Sequence, residues 1–330
     1  MFVSFSGGKD STVLAHLVHE FHPDVPLVFF NTGMEFPEIQ AFARKMGATI
    51  IRPKMMFTDV LGKYGYPLIS KEISGAIKYA RRALGKWDSD VTTMNKRKEL
   101  MGQTGSRWFD KPKWLPLCRD TQFRIDDYCC EIMKKQVSHT YASETKMKPF
   151  VGVTTAESKL REQAWIRHGC NSFSKRDQIS WPIAFWLEQV ILKYICWEEL
   201  EVAEVYGKLM AEDTWGWFEP APGTDCPMKF DGYQRTGCMY CAYGANFEKK
   251  TEKSRFQLMA ETHPRQYEYC IGGGQWVDNP DYDPVMPKFD GDWENWNPKK
   301  IWVPSKEGLG MKYVFDECNR LYGKDFIRYE

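Results

Sequence analysis

Two constellations in this chain carry residue types and spacings that can do chemistry. The first is Ser6-Gly7-Gly8-Lys9-Asp10-Ser11, which follows an apolar run from Met1 to Phe5 and precedes apolar positions at Val13, Leu14, Leu17, Val18 and Phe21. That pattern reads as strand, tight loop, helix. Consecutive glycines at such a junction let backbone N–H groups turn toward an anion, and the helix N-terminus adds partial positive charge. Lys9 can neutralise a phosphate, while Ser6, Ser11 and Thr12 offer hydroxyl donors, so the loop describes a phosphate cradle. Its register fits neither G-x-x-x-x-G-K-[ST] nor G-x-G-x-x-G, which excludes both of those nucleotide loops. The blander alternative is a Gly-rich turn in which Asp10 or Ser11 caps a helix.

The second constellation is made of thiols. Cys238-x-x-Cys241 has a spacing that places two thiolates on one centre, and Cys129-Cys130 supplies two more candidates far upstream. Four thiolates suit tetrahedral zinc or an iron–sulfur cubane, and spacing alone does not choose between them or exclude simple buried thiols. Cys226 and Cys118 compete for a ligand position. Cys170, Cys196 and Cys270 stand alone and read as small core residues. Arg235, three residues before Cys238, reads equally as an anion contact or a solvated arginine. The six histidines form no metal-binding pair, and His16 and His19 read as surface positions on the first helix.

Elements that position these groups follow from patterning. Val25 to Phe30 reads as a short buried strand ending in Asn31-Thr32-Gly33, Phe36 to Met46 has helical spacing, and Ala48 to Ile51 reads as a third strand. Strands alternating with helices imply a mostly parallel sheet with helices on both faces, a doubly wound α/β fold. Ligands in such sheets sit beyond the carboxyl ends of the strands, where SGGKDS and NTGMEF would both lie. Strand character returns at Phe150 to Val153, followed by a charged helix over Lys159 to His168, an apolar helix over Trp186 to Trp197 and a final amphipathic helix near Met311 to Leu321. The expected domains are residues 1–245, with a basic insertion near 60–115 that is helical over Glu72 to Leu84, and a C-terminal extension over 246–330.

Composition narrows the class. At 330 residues and 43% hydrophobic, the chain can bury a sizeable core. No stretch approaches the roughly 20 apolar residues that span a bilayer, and the N-terminus shows neither a basic n-region nor a small-residue cleavage site, so the expected compartment is the cytoplasm, without membrane partners. Ten cysteines in a chain of this size do not form a secreted disulfide framework. The formal net charge of +1 excludes a globally basic nucleic-acid binder. Residues 78–113, however, hold ten Lys/Arg against four Asp/Glu, a local +6 interleaved with Trp87, Trp108 and Trp114. Such a run suits phosphate contact and base stacking on nucleic acid, or is a solvated face.

SGGKDS after an N-terminal strand resembles the pyrophosphatase loop (PP-loop) of the adenine nucleotide α-hydrolase-like superfamily. NTGMEFPE resembles its phosphoadenosine and adenosine phosphosulfate reductase branch. Gly152-Val153-x-x-x-Glu157-Ser158-x-x-Arg161 is similar to that family's sugar- and phosphate-side segment, and Ile183-x-x-Trp186-x-x-x-x-Val190-x-x-x-Tyr194-Ile195 to the start of its helix after the last strand. The resemblance implies an adenosine nucleotide held by Ser6, Gly7, Gly8, Lys9, Asp10 and Ser11, with Thr32, Gly33 and Glu35 near the adenosine end, Glu157, Ser158 and Arg161 facing the same pocket, and Lys71 as a second cation. It also implies a [4Fe–4S] cluster on Cys129, Cys130, Cys238 and Cys241.

The resemblance covers two uses of the nucleotide. In the reductase branch a cysteine thiolate attacks the sulfonyl sulfur, sulfite leaves, and a thiol electron donor is implied. The nucleophile of that branch sits in a Glu-Cys-Gly-Leu-His context near the C-terminus. Here Glu317-Cys318 is followed by Asn319-Arg320-Leu321, so Cys318 is the candidate but matches in only two of five positions. In the adenylating branch an oxygen nucleophile attacks the α-phosphate of ATP, with Lys9 and Mg²⁺ taking up charge. That branch includes the ATP pyrophosphatase component of DNA phosphorothioation systems, and its partner would be nucleic acid reached through 78–113. A non-enzymatic nucleotide or redox sensor is the third class.

Overall fold

The computed structural model describes residues 1–82, 91–105, 110–157, 159–173, 178–282 and 298–330. They divide into two compact units, Met1–Lys54 with Met133–Met239, and Met55–Ile132 with Tyr240–Glu330. This division runs differently from the expected one at residue 245, because residues 55–132 pack with 240–330. No helix among the described residues is long and apolar enough to cross a membrane.

The first unit is built on a six-stranded sheet. Its opening elements are β1 (Phe2–Ser4), α1 (Lys9–Phe21), β2 (Leu27–Phe30), α2 (Pro37–Lys45) and β3 (Thr49–Ile51). Across the sheet the order is β3, β2, β1, then the strands Pro149–Val151, Gln178–Ser180 and Asn171–Phe173. All neighbours run parallel except the last pair. The expected α/β fold with a mostly parallel central sheet is therefore present. Phe2, Val3, Phe5, Val28, Phe29, Val13, Leu14 and Ile39 are all but fully buried, and each such side chain contributes on the order of 1.5–3 kcal/mol. Burial on both faces is why β1 and β2 read as continuous apolar runs rather than alternating ones.

Order in the sheet reverses between β1 and Pro149–Val151, since β2 and β3 lie on one side of β1 and the later strands on the other. Crevices at such reversals open beyond the strand ends. Gly152 follows the second of these strands, and a Cβ there would lie 3.0 Å from both the Asp10 carbonyl oxygen and the Ser11 Cα. A glycine is what lets this turn close on the start of α1. The helix Lys159–His168 forms as expected, and the apolar helix runs Glu188–Trp197. The edge hairpin of Asn171–Phe173 with Gln178–Ser180, and a small antiparallel sheet of Leu209–Asp213, Gly216–Phe218 and Met228–Phe230, carry too little alternation to be read from sequence.

The second unit holds the helix Lys71–Arg82, the short parallel pair Leu68–Ile69 with Ala242–Tyr243, the hairpin Gln275–Asp278 with Lys300–Val303, and the expected final helix, Met311–Tyr322. Phe256, Phe315, Met311 and Cys318 are fully buried in its core. Among the described residues of 78–113, three cationic side chains meet acceptors within this unit. Lys78 is 6% exposed and pairs with Asp126 and Asp127. The Arg81 guanidinium donates to the carbonyls of Leu117, Cys118 and Phe123, and Lys111 pairs with Glu72 and Glu99. Trp114 is buried against Tyr322 and Phe326, so it offers no face for base stacking. Trp87 and Trp108 lie outside the described residues.

Candidate functional site

The loop between β1 and α1 is wound by its own hydroxyls. Gly7 has φ +70, and a Cβ there would lie 2.8 Å from Ile39 Cγ2, so both backbone and space require glycine. The Ser6 amide donates to Ser11 Oγ at 3.1 Å, and Ser6 Oγ donates to the same oxygen at 3.0 Å. Ser11 Oγ and Thr12 Oγ1 both donate to the Gly8 carbonyl. Ser6 and Ser11, expected as ligand donors, thus shape the loop first.

Lys9 is buried, and its ammonium lies 3.3 Å from Glu188, 3.9 Å from Asp10 and 3.4 Å from the Gln234 carbonyl. Burial pushes the Asp10 carboxyl above its ordinary range, and Glu188 adds to this, against the opposing pull of Lys9 and Arg161. Arg161, exposed on its helix, is close enough to Asp10 and Arg235 to feel both charges. The Lys9 ammonium and the Arg161 guanidinium therefore both act on Asp10 at the start of α1, with Arg235 near Arg161, and cations so placed favour an anion.

Thr32, Gly33 and Glu35 form a closed turn after β2. The buried Glu35 carboxylate accepts from the Thr32 amide at 3.0 Å and from Thr32 Oγ1 at 2.7 Å, with Lys134 3.7 Å away. Gly33 has φ +78, and its amide donates to Asn31 Oδ1. Glu35 thus holds the turn, and Gly33 is left as its exposed tip. The Met34 carbonyl accepts from the Met239 amide at 2.8 Å, which ties this turn to the residue after Cys238.

Residues 233–239 lie along the site, although only Arg235 and Cys238 among them stand out in the sequence. Tyr233 packs on Phe36 with ring centroids 4.6 Å apart, the Gln234 carbonyl accepts from the Lys9 ammonium, and Thr236 Oγ1 is 2.6 Å from Tyr206 Oη. Tyr206, Thr236 and Glu188 receive no role in the sequence reading, because no local spacing links any of them to Lys9. His16 and His19, read as surface positions, are half-buried, with His16 Nδ1 2.9 Å from Tyr194 Oη and His19 Nε2 2.8 Å from the Val25 carbonyl. Of the remaining nucleotide candidates, only the backbone of Glu157 is described, Ser158 lies outside the described residues, and Lys71 is exposed at the start of a helix in the second unit.

Among the thiols, Cys129, Cys130 and Cys241 belong to the second unit and Cys238 to the first. The Tyr243 hydroxyl is buried without a hydrogen-bond partner. Burial pushes it far above the ordinary phenol range, with Cys129, Cys130, Cys241 and Asp127 each near enough to push further. No group of three or more His, Cys, Asp and Glu among the described residues is arranged to hold a metal ion. Cys318 is fully buried, and burial raises its thiol well above the ordinary value, next to Glu317 which adds to the effect. Burial of this kind disfavours the thiolate that a nucleophilic Cys318 would need.

The opening β–α–β–α–β segment defines an α/β protein with a mostly parallel sheet, and its Lys9-bearing loop lies where the strand order reverses. Residues 1–59 match the phosphoadenosine phosphosulfate reductase domain family, and over that stretch the resemblance read from SGGKDS and NTGMEF is borne out. Among solved structures, phosphoadenylyl-sulfate (PAPS) reductase from Candida auris, in a phosphate complex, is similar at 14% identity over 62% of this chain and 74% of that one, with a TM-score of 0.34. No curated protein matches the chain.

Proposed function

We propose that the protein is an enzyme of sulfur chemistry, related to the sulfonucleotide reductases, that binds an adenosine nucleotide by its phosphates at Ser6–Ser11. The observation that carries this reading is the buried Lys9 ammonium at the mouth of the β1–α1 loop, with Arg161 and Arg235 nearby. Preorganised cations in a partly dry site stabilise charge that develops on phosphoryl or sulfonyl oxygens more strongly than they would in water. Asp10 and Glu188 bracket Lys9, and two carboxylates beside a polyphosphate are a donor set that fits Mg²⁺. They would hold the ion if ATP is the nucleotide, and Mg²⁺ would then neutralise phosphate charge.

Cys129, Cys130, Cys238 and Cys241 are the thiols proposed for a [4Fe–4S] cluster, which would supply a low-potential or electrostatic centre. Three of them lie close enough to the orphaned Tyr243 hydroxyl to act on it, and that hydroxyl is a donor of the kind that sulfur ligands accept. Anaerobic purification with iron and sulfide quantification tests this.

Burial of Cys318 favours a second reading, in which the nucleotide is ATP and the protein is an adenylating pyrophosphatase of a nucleic-acid sulfur-modification system. Incubation with ATP, adenosine phosphosulfate and its 3′-phospho form separates the two readings. Sulfite release with a thiol donor supports the reductase, and pyrophosphate release dependent on nucleic acid supports the second reading. Absence of both, with no nucleotide bound, contradicts the proposal.

A further inference from the structure

Tyr206 stands against the loop in a way that no motif announces. Its hydroxyl accepts the Lys9 backbone N–H at 2.9 Å and lies 2.6 Å from Thr236 Oγ1. The ring is buried and packs on Phe230 with centroids 5.0 Å apart. Its backbone is fixed on both sides, by the Tyr206 amide to the Ala203 carbonyl and by the Gly232 amide to the Tyr206 carbonyl. The phenol is thus a fixed wall, and the Lys9 N–H is already committed to it.

Hydrogen-bond accounting then leaves something over. Tyr206 and Thr236 carry one hydroxyl proton each, and their mutual bond consumes one of the two. The Lys9 amide brings its own proton and takes only a lone pair. One hydroxyl proton remains for an outside acceptor. It sits at a convergence point: a Cβ on Gly8 would lie 3.2 Å from Tyr206 Oη, 3.3 Å from Ser6 Oγ and 3.3 Å from Thr236 Oγ1. Burial pushes the Tyr206 phenol up to about 12, so it keeps its proton at neutral pH.

We propose that Tyr206 and Thr236 are phosphate-positioning residues, a hydrogen-bonded hydroxyl pair that closes the cradle over Gly8 and donates its one free proton to a phosphoryl oxygen of the ligand. The ligand class is a phosphate ester or polyphosphate, whose oxygens only accept. This rests on the nucleotide reading above and deepens it by assigning the wall of the site opposite the glycines.

Calorimetric titration of the full chain with ATP, inorganic pyrophosphate and adenosine tests the pair, using wild type, Tyr206→Phe, Thr236→Val, Thr236→Ser and the Tyr206→Phe/Thr236→Val double variant. Loss of a hydrogen bond to a charged acceptor weakens binding by about 10- to 100-fold. Either single deletion leaves one hydroxyl with its proton and the double variant leaves none, so the double variant is expected to weaken ATP and pyrophosphate to that extent while leaving adenosine unchanged. Each single deletion, which removes the partner that orients the remaining hydroxyl, is expected to weaken them by less, and Thr236→Ser to restore wild-type affinity. Should the double variant fail to fold, the single variants decide, and no loss in either overturns the pair. Wild-type affinity for ATP and pyrophosphate in the double variant, or an equal loss for adenosine, overturns the pair alone. Failure of the wild type to bind either phosphate ligand overturns the nucleotide reading and this proposal with it.

Discussion

Replacing Gly7 with alanine separates two demands that the loop makes on one residue. Gly7 has φ +70, and a Cβ there would stand 2.8 Å from Ile39 Cγ2. The backbone conformation costs an L-residue about 1–2 kcal/mol, and the close approach adds an overpacking cost of about 1–3 kcal/mol. Alanine also lowers the entropy of the unfolded chain, which returns roughly 0.4–1 kcal/mol. Gly33 provides the control, since it has φ +78 but nothing within 4 Å of the place a Cβ would take. Gly33→Ala therefore carries the backbone cost and the entropic return without the clash. Urea unfolding of the two variants, followed by far-UV circular dichroism, is expected to show Gly7→Ala less stable than Gly33→Ala by about 1–3 kcal/mol. ATP titration is expected to show weakened binding in Gly7→Ala, because α2 or the cradle must shift. Equal stabilities for the two variants would refute the claim that Ile39 sets the position of the loop.

Two further variants probe the second unit. Lys78 and Asp126 each have side chains only 5% exposed, so Lys78→Met strands a buried carboxylate and is expected to lower stability by about 3–5 kcal/mol in urea unfolding. Cys318→Ala removes a fully buried thiol and is expected to cost about 1–2 kcal/mol while leaving nucleotide turnover intact. Turnover abolished in Cys318→Ala with ATP binding retained would show that the thiol reaches substrate.

How much of this was legible in the sequence varied with the length and type of each signal. The cradle announced itself because glycines, a lysine and flanking strand and helix patterns all fall within about twenty residues, and local consistency of that kind survives folding. The helices Lys159–His168 and Met311–Tyr322 were likewise legible from their periodicity. Tyr206, Thr236 and Glu188 were not, because they reach Lys9 and its loop from elements some 180 to 230 positions away, and no local pattern encodes such a contact. The local partners of the basic segment were hidden for a related reason. A count of charges does not reveal that Lys78, Arg81 and Lys111 meet acceptors within their own unit.

The central claim, that the Lys9 ammonium at the mouth of the Ser6–Ser11 loop holds the phosphates of an adenosine compound, is tested most directly by calorimetric titration of Lys9→Met against wild type. The substitution keeps side-chain length and removes the charge that lies 3.3 Å from Glu188. ATP affinity is expected to fall by about 10- to 100-fold, from a lost charged contact of about 1.5–3 kcal/mol, with adenosine affinity unchanged. ATP binding in Lys9→Met within about twofold of wild type, a difference of less than about 0.5 kcal/mol, would contradict the account.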